Sequence, residues 1–167
     1  MTTDWRGDFN RRMREDPDRV LVMTRRFEAS PERVYDAWTN SKAAALWLFT
    51  GPTSKGHSCE MDARPGGRWT ITDTREGVLY TALGEFIEAD RPRRVSLTFG
   101  MPQFSPEYDL ITVTFDADGD GCIMHFRQEG IAQDAKLPLK SGWTPMFMGL
   151  AQAIGVAAPD VIEAGDE

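Results

Sequence analysis

Glu60-Met61-Asp62-Ala63-Arg64-Pro65-Gly66-Gly67-Arg68-Trp69 separates two strand-like segments with a turn that carries one proline and two glycines. Proline presets φ near the turn value and glycine supplies positive φ, so the chain reverses here. Residues 57–62 read as one strand and residues 68–74 as the next. In the second, Trp69 and Ile71 share one face by the period-two rule. A strand pair with one apolar face must bury that face against something, and the flanking segments show what.

Downstream, residues 78–88 form a long third strand. Tyr80, Ala82, Gly84 and Phe86 lie on one side, and a bulge near Gly84 would change the phase. Asp90-Arg91-Pro92 is a turn, and Val95, Leu97 and Phe99 alternate in the following strand. Residues 101–107 carry two prolines and read as an open loop. Residues 109–116 place Ile111, Val113 and Phe115 on one side. Asp118-Gly119-Asp120-Gly121 turns the chain tightly into a last strand at 122–129.

Upstream, residues 20–27 (Val-Leu-Val-Met-Thr-Arg-Arg-Phe) read as a strand. Ser30 and Pro31 then mark a helix start, as N-cap and first helical residue, for a helix over 31–39. A second short helix runs from Asn40 or Ser41 to about Leu48. The longest helical pattern comes last, over about 139–157. Leu139, Trp143, Met146, Phe147, Leu150 and Ile154 recur at three and four residues and make a broad apolar stripe. Pro145 is expected within its first turn, with the helix beginning near Ser141 or Gly142.

The fold class expected from this order is α+β: a curved antiparallel sheet of about seven strands around a long C-terminal helix, with two short helices after the first strand. Residues 1–17 read as an N-terminal arm anchored by Trp5 and Phe9, residues 18–157 as the single domain, and residues 158–167 as a flexible acidic tail.

The 167 residues fit one domain. Twenty-six acidic against 19 basic side chains give a net charge of −7, which disfavours nucleic acid or an anionic membrane as partner. No 18-residue apolar run and no leader-like segment is apparent. Two cysteines, Cys59 and Cys122, read as a reduced pair, which points to the cytoplasm. No cofactor is called for.

Four stretches carry a family pattern. They are Arg26-Phe27-Glu28-Ala29-Ser30-Pro31-Glu32-Arg33-Val34-Tyr35-Asp36-Ala37-Trp38-Thr39, the segment from Ala63 to Trp69, Gly84-Glu85-Phe86 ahead of the Pro92 turn, and the hairpin from Gly121 to Gly130 followed by Gly142-Trp143. Together they resemble the Hsp90-ATPase-activator homologue-like family, within the START/Bet v 1-like superfamily (also called SRPBCC) of helix-grip proteins. The resemblance covers about residues 20–155. It implies a deep cavity between the last helix and the sheet, of the kind in which superfamily members bind lipids, hormones, polyketides or other apolar molecules.

The residues expected to line such a cavity are Trp47, Trp69, Tyr80, Phe99, Met101, Tyr108, Met124, Phe126, Gln128, Trp143, Met146 and Phe147. Aromatic rings and methionines bury large apolar areas and adapt to a ligand's shape. Tyr80, Tyr108 and Gln128 add polar handles. The alternative for each residue is that it simply fills the core. No catalytic residue and no metal set is assigned. His125 is expected to face outward, and His57 beside Cys59 does not make a coordination set. Asp116, Asp118 and Asp120 lack the glutamate that closes a calcium loop and are read as turn residues.

Three functions follow. The first is binding of a hydrophobic or aromatic small molecule, without catalysis. The second is an enzyme of the polyketide cyclase or hydrolase type in the same cavity, which needs an acid or base inside it. The third is a co-chaperone-like interaction module anchored on Trp47-Leu48-Phe49 and the 101–108 loop. Two-fold self-association is the base-rate expectation for a small single-domain protein.

Overall fold

Apolar alternation makes the strands of this chain, and short turns set their order. The structure is a computed structural model that describes residues 18–49 and 54–163. The N-terminal arm with Trp5 and Phe9 lies outside the described residues. The elements are β1 (Val20–Phe27), α1 (Pro31–Thr39), α2 (Ser41–Ala44), β2 (Ser54–Met61), β3 (Arg68–Arg75), β4 (Val78–Asp90), β5 (Arg94–Phe99), β6 (Asp109–Asp118), β7 (Gly121–Glu129), α3 (Lys136–Ala153) and β8 (Asp160–Val161). The strands form one antiparallel sheet in the order β2-β3-β4-β5-β6-β7-β1-β8. This is the helix-grip arrangement expected, with eight strands where about seven were read.

Turn chemistry pins the register. Glu76 and Gly77 both take positive φ, 50° and 81°, in the two-residue link between β3 and β4. That is the twist-matching turn of a tight hairpin. Gly119, at φ 60°, opens the equivalent link between β6 and β7. In the 62–67 loop, Gly67 is required sterically: a Cβ there would lie 1.9 Å from the Asp62 carbonyl oxygen. The loop is stitched to β4 by two backbone bonds, Gly66 N–H to Phe86 O at 2.8 Å and Phe86 N–H to Gly67 O at 2.7 Å. The phase change foreseen near Gly84 occurs in the β4–β5 ladder between Phe86 and Glu88.

Ser30 caps α1 by accepting from the Arg33 N–H, and Pro31 occupies the first helical position. Asn40 serves twice. Its N–H closes α1 on Asp36 O, and its side chain accepts from Ala43 N–H to open α2. The second helix is shorter than expected: α2 ends at Ala44 and the chain continues as turns through Phe49.

The long helix begins at Lys136, earlier than Ser141. Ala135 gives it no side-chain cap, so the sequence carries no start signal there. Pro145 therefore sits inside the helix rather than in its first turn. The stripe of Trp143, Phe147, Leu150 and Ala151 is buried.

The acidic end of the chain is docked, not loose, as far as Glu163. Val161 pairs with Arg25 on β1, and Ile162 N–H donates to Thr24 O at 3.2 Å. The Glu163 carboxylate accepts from the Thr24 N–H at 2.8 Å and from the Arg25 guanidinium. Its second oxygen lies 3.6 Å from Lys140 Nζ on α3. Arg25 shares the inward face of β1 with Leu21, Met23 and Phe27 and is itself buried. A cation in that position needs a counter-ion, and the tail supplies one.

Removing one partner of such a pair costs more than removing both. Glu163→Ala should lower the unfolding free energy by about 3–5 kcal/mol, whereas the double variant Arg25→Met/Glu163→Leu should stay close to the native chain. Urea denaturation at neutral pH measures both. A loss below about 1 kcal/mol in the single variant would place the pair with exposed surface pairs instead.

Candidate functional site

The stripe of α3 meets rings contributed by α1, the turn after α2, and β7. The Trp143 ring centroid lies 4.6 Å from Phe126, 5.5 Å from Phe147 and 5.9 Å from Trp38. Trp38 in turn meets Trp47 edge-on at 4.9 Å. Every one of the four indole N–H groups here has an acceptor. Trp47 donates to Ala37 O at 2.9 Å, Trp69 to Thr98 O at 2.9 Å, and Trp38 to the Met124 sulfur at 3.4 Å. Trp143 donates to Gln128 Oε1 at 2.9 Å. Gly84 permits the Trp69 bond, since a Cβ there would lie 2.7 Å from Trp69 Nε1 and 1.8 Å from Thr98 O.

Gln128 is fully buried, and its Nε2 donates to Asp109 Oδ2 at 2.8 Å. The amide foreseen to point inward does so, and it joins β6, β7 and α3 through one side chain. Of the expected cavity residues, Trp47, Trp69, Met124, Phe126, Gln128, Trp143 and Phe147 are at most 2% exposed. They pack the interior between helix and sheet.

Phe99, Met101 and Met146 are only half-buried, and with Phe49 they border the packed rings, whereas the half-buried Tyr108 lies beside Gly100. Phe49 was not singled out as a cavity residue, yet it is central. Its ring lies 5.1 Å from Phe99, 6.2 Å from Trp69 and 5.5 Å from Trp143. Its backbone takes φ 55°, a left-handed conformation unusual for a bulky residue. The Phe49 N–H points at the Met146 sulfur at 3.2 Å, and its carbonyl accepts from Arg75 Nη2 at 2.7 Å. Tyr80 stands opposite Asp73 in the β3–β4 ladder and outside the ring cluster: its ring stacks on the exposed Phe104 at 6.0 Å and lies under the Arg75 guanidinium at 5.6 Å.

A polar group on the concave face adjoins this edge. Asp73 follows Trp69 and Ile71 at two-residue spacing and is buried like them. Its Oδ2 accepts from Arg75 Nε at 2.6 Å. On β2, Cys59 stands opposite Ile71, which carries His57 to the same face. His57 Nδ1 lies 4.0 Å from Asp73 Oδ1. Both imidazole nitrogens are buried without a hydrogen-bond partner among the described residues. Burial holds the imidazole below its ordinary value, with Asp73 opposing and Arg75 reinforcing the shift. Sequence reading put His57 on the face of Cys59 but left Asp73 unremarked. The signal for Asp73 was its parity with Trp69.

The family model for activator of Hsp90 ATPase homolog 1-like proteins matches residues 28–155. The chain belongs to that family. A solved protein from Chromobacterium violaceum shares 27% identity at TM-score 0.72, over 82% of this chain and 97% of its own. An HSP90 activator from Plasmodium falciparum superposes at TM-score 0.67 with 19% identity, over 84% of this chain and 99% of its own, a likeness of fold. A Rhodobacter sphaeroides protein does so at TM-score 0.68 and 19% identity, over 81% of this chain and 92% of its own. No curated protein matches the sequence.

In this member of the family the other residues singled out from the sequence lie as follows. His125 is exposed on β7, 3.2 Å from Asp116, as its parity required. Cys59 and Cys122 are free thiols on strands that are not neighbours. Burial pushes Cys59 up to about 11 and Cys122 up to about 12, so neither is a ready nucleophile. No cluster of three potential metal ligands occurs among the described residues. No helix among them is long and apolar enough to cross a membrane. Trp47 and Leu48, expected as anchors for a partner protein, are each 1% exposed and belong to the core. Two surface hollows lie outside the aromatic cluster. One, of about 320 Å³, runs between Val20–Thr24 on β1 and Lys136 and Lys140 on α3. The other, of about 730 Å³, is an open groove between α1 and the end of α3.

Gln128→Leu would strip the acceptor from the buried Trp143 indole and a donor from Asp109. The expected loss is about 1–3 kcal/mol, read by equilibrium denaturation. A neutral result would mean that Trp143 finds another acceptor. His57 predicts a pH effect. An unfolded chain takes up the imidazole proton near the ordinary value of 6.5, and the folded chain only at lower pH. Its contribution is complete above that value and is lost as pH falls toward the folded value. Stability should therefore decline more steeply between about pH 7 and pH 5.5 in the native chain than in His57→Gln. Equal slopes would refute the buried, neutral imidazole.

Proposed function

We propose that this protein binds a small apolar molecule carrying a flat ring, between the sheet and α3. Entry lies at the edge formed by Phe49, Phe99, Met101 and Met146. The family's fold commonly holds hydrophobic ligands, which supports the reading in general terms. The observation that carries it for this chain is Phe49. Its ring lies within 16° of parallel to Trp69 and 23° of parallel to Phe99, the orientation a bound aromatic ring would adopt. It does so from a left-handed backbone, a conformation that costs about 1–2 kcal/mol in an L-residue. That strain is released when the ring withdraws, and an incoming ring replaces the stacking, worth about 0.5–1.5 kcal/mol per pair. Phe49 thus acts as an internal stand-in for a ligand.

Binding without catalysis is favoured over a protein-interaction role because the Trp47-Leu48 pair is inside the core. Two free thiols on separate strands accord with a reducing compartment such as the cytoplasm.

Naphthalene is a suitable probe. It should raise the melting temperature of the native chain by mass action and quench tryptophan emission. Phe49→Ala removes the competing ring and should bind naphthalene roughly tenfold more tightly, because no population is lost to the self-occupied state. If neither chain is stabilised or quenched, the interior is a solid core and the proposal falls.

A further inference from the structure

The aromatic edge has a polar neighbour that nothing in its own packing explains. His57 sits on the concave face with a side chain 13% exposed, beside an Asp73 side chain 3% exposed. Neither imidazole nitrogen is hydrogen-bonded among the described residues. A buried polar group left in that state costs about 1–3 kcal/mol, and such groups are normally met by a ligand, an ion or water. The position is reached through an irregularity in the β2–β3 ladder. Register holds from Met61 opposite Trp69 to Ser58 opposite Thr72, then shifts before Lys55. His57 stands at that break.

The surrounding charges select what can meet it. Asp73 lies on the Nδ1 side, 4.0 Å away, and a carboxylate there favours the tautomer with its proton on Nδ1. Nε2 is then an acceptor and requires a donor. Arg75 already neutralises Asp73 through the 2.6 Å bond to Oδ2, so these two side chains together have no net charge to offer an anion. A carboxylate or phosphate would meet the Asp73 carboxylate, and Arg75 is already bonded to it. A cation would lose its hydration there with no unpaired carboxylate to offset the loss, because Asp73 is already bonded to Arg75. A neutral hydroxyl satisfies Nε2 with neither penalty. Arg75 also ties this group to the aromatic edge, since its Nη2 donates to the Phe49 carbonyl at 2.7 Å.

Resting on the cavity reading above, we propose that His57, oriented by Asp73, is the polar anchor of that cavity, and that the ligand is a neutral hydroxylated aromatic: a flat ring bearing a phenol- or enol-type O–H. The ring replaces Phe49 against Trp69 and Phe99. The hydroxyl donates to His57 Nε2. Asp73 and Arg75 position the imidazole and do not touch the ligand.

The test compares 2-naphthol with naphthalene, which differ by one hydroxyl. Affinities are measured by calorimetry on the native chain, Phe49→Ala and His57→Leu. The native chain should bind 2-naphthol about tenfold more tightly than naphthalene, as one buried hydrogen bond provides. His57→Leu should erase that preference while keeping naphthalene affinity, which also reports that the variant is folded. In the native chain, the ¹⁵N resonance of His57 Nε2 should move on adding 2-naphthol and stay still with naphthalene. Equal affinities for the two probes in the native chain, a preference that survives in His57→Leu, or an unmoved resonance overturns the proposal and leaves the cavity reading standing. No binding of naphthalene by either the native chain or Phe49→Ala overturns the cavity reading itself, and this anchor with it.

Discussion

The grip of the sheet on its helix depends on one directional contact, the Trp143 indole donating to a carboxamide with no exposure to water. Apolar burial supplies most of the attraction between α3 and the strands, but it is indifferent to register. A helix could slide or rotate along a ring-lined surface at modest cost. Gln128 removes that freedom. Its second bond, to Asp109, spans the β6–β7 pair, so the helix is referenced to two strands at once. Trp69 and Trp47 repeat the device, each fixing a large ring by one bond to a backbone carbonyl. The interior is apolar in area and polar in its alignment.

That alignment explains why some of the chain was readable from its residues and some was not. The edges of β1 and α1 fell at the residues expected because local signals coincide there: alternation from Val20 to Phe27, then Ser30 and Pro31 as cap and first turn. The face assignments of β7 held because Met124, Phe126 and Gln128 share one parity and His125 the other. The start of α3 failed because Ala135 caps nothing, and Pro145 then appeared to mark a beginning it does not mark. The docked tail was hidden because the Arg25–Glu163 pair joins residues 138 apart in the chain. Among candidate site residues, parity identified the inward rings. It could not say which ring would fold back and fill the middle. Phe49 follows a short helix, where no periodicity applies, and its left-handed backbone is a tertiary outcome.

A strained residue survives only where its surroundings over-determine it. Phe49 is held in three ways: by the rings of Phe99, Trp69 and Trp143, by the Met146 sulfur on its N–H, and by Arg75 on its carbonyl. Two of those holds are weak by nature. A sulfur is a poor acceptor, and stacked rings exchange readily for another ring. The firm hold is the Arg75 bond, and Arg75 is shared with Asp73. The position of the ring and the charge state of the polar group are therefore not independent. An event that pulls Arg75 toward Asp73 loosens Phe49, and withdrawal of Phe49 frees an arginine donor beside a buried carboxylate.

This linkage bears on which chemistry the fold can host. An acid–base reaction in an apolar cavity needs a titratable group that is desolvated, positioned and reachable. The cysteines are desolvated but held fully protonated at neutral pH. Among the described residues, the ring and cation contacts of Tyr80 are with Phe104 and Arg75. His57 meets the first two conditions, and the third turns on whether Phe49 moves. In the binding mode proposed above, the same two residues govern both steps. A ligand that does not displace the ring would not reach the imidazole, so selection for a flat ring would precede selection for a hydroxyl.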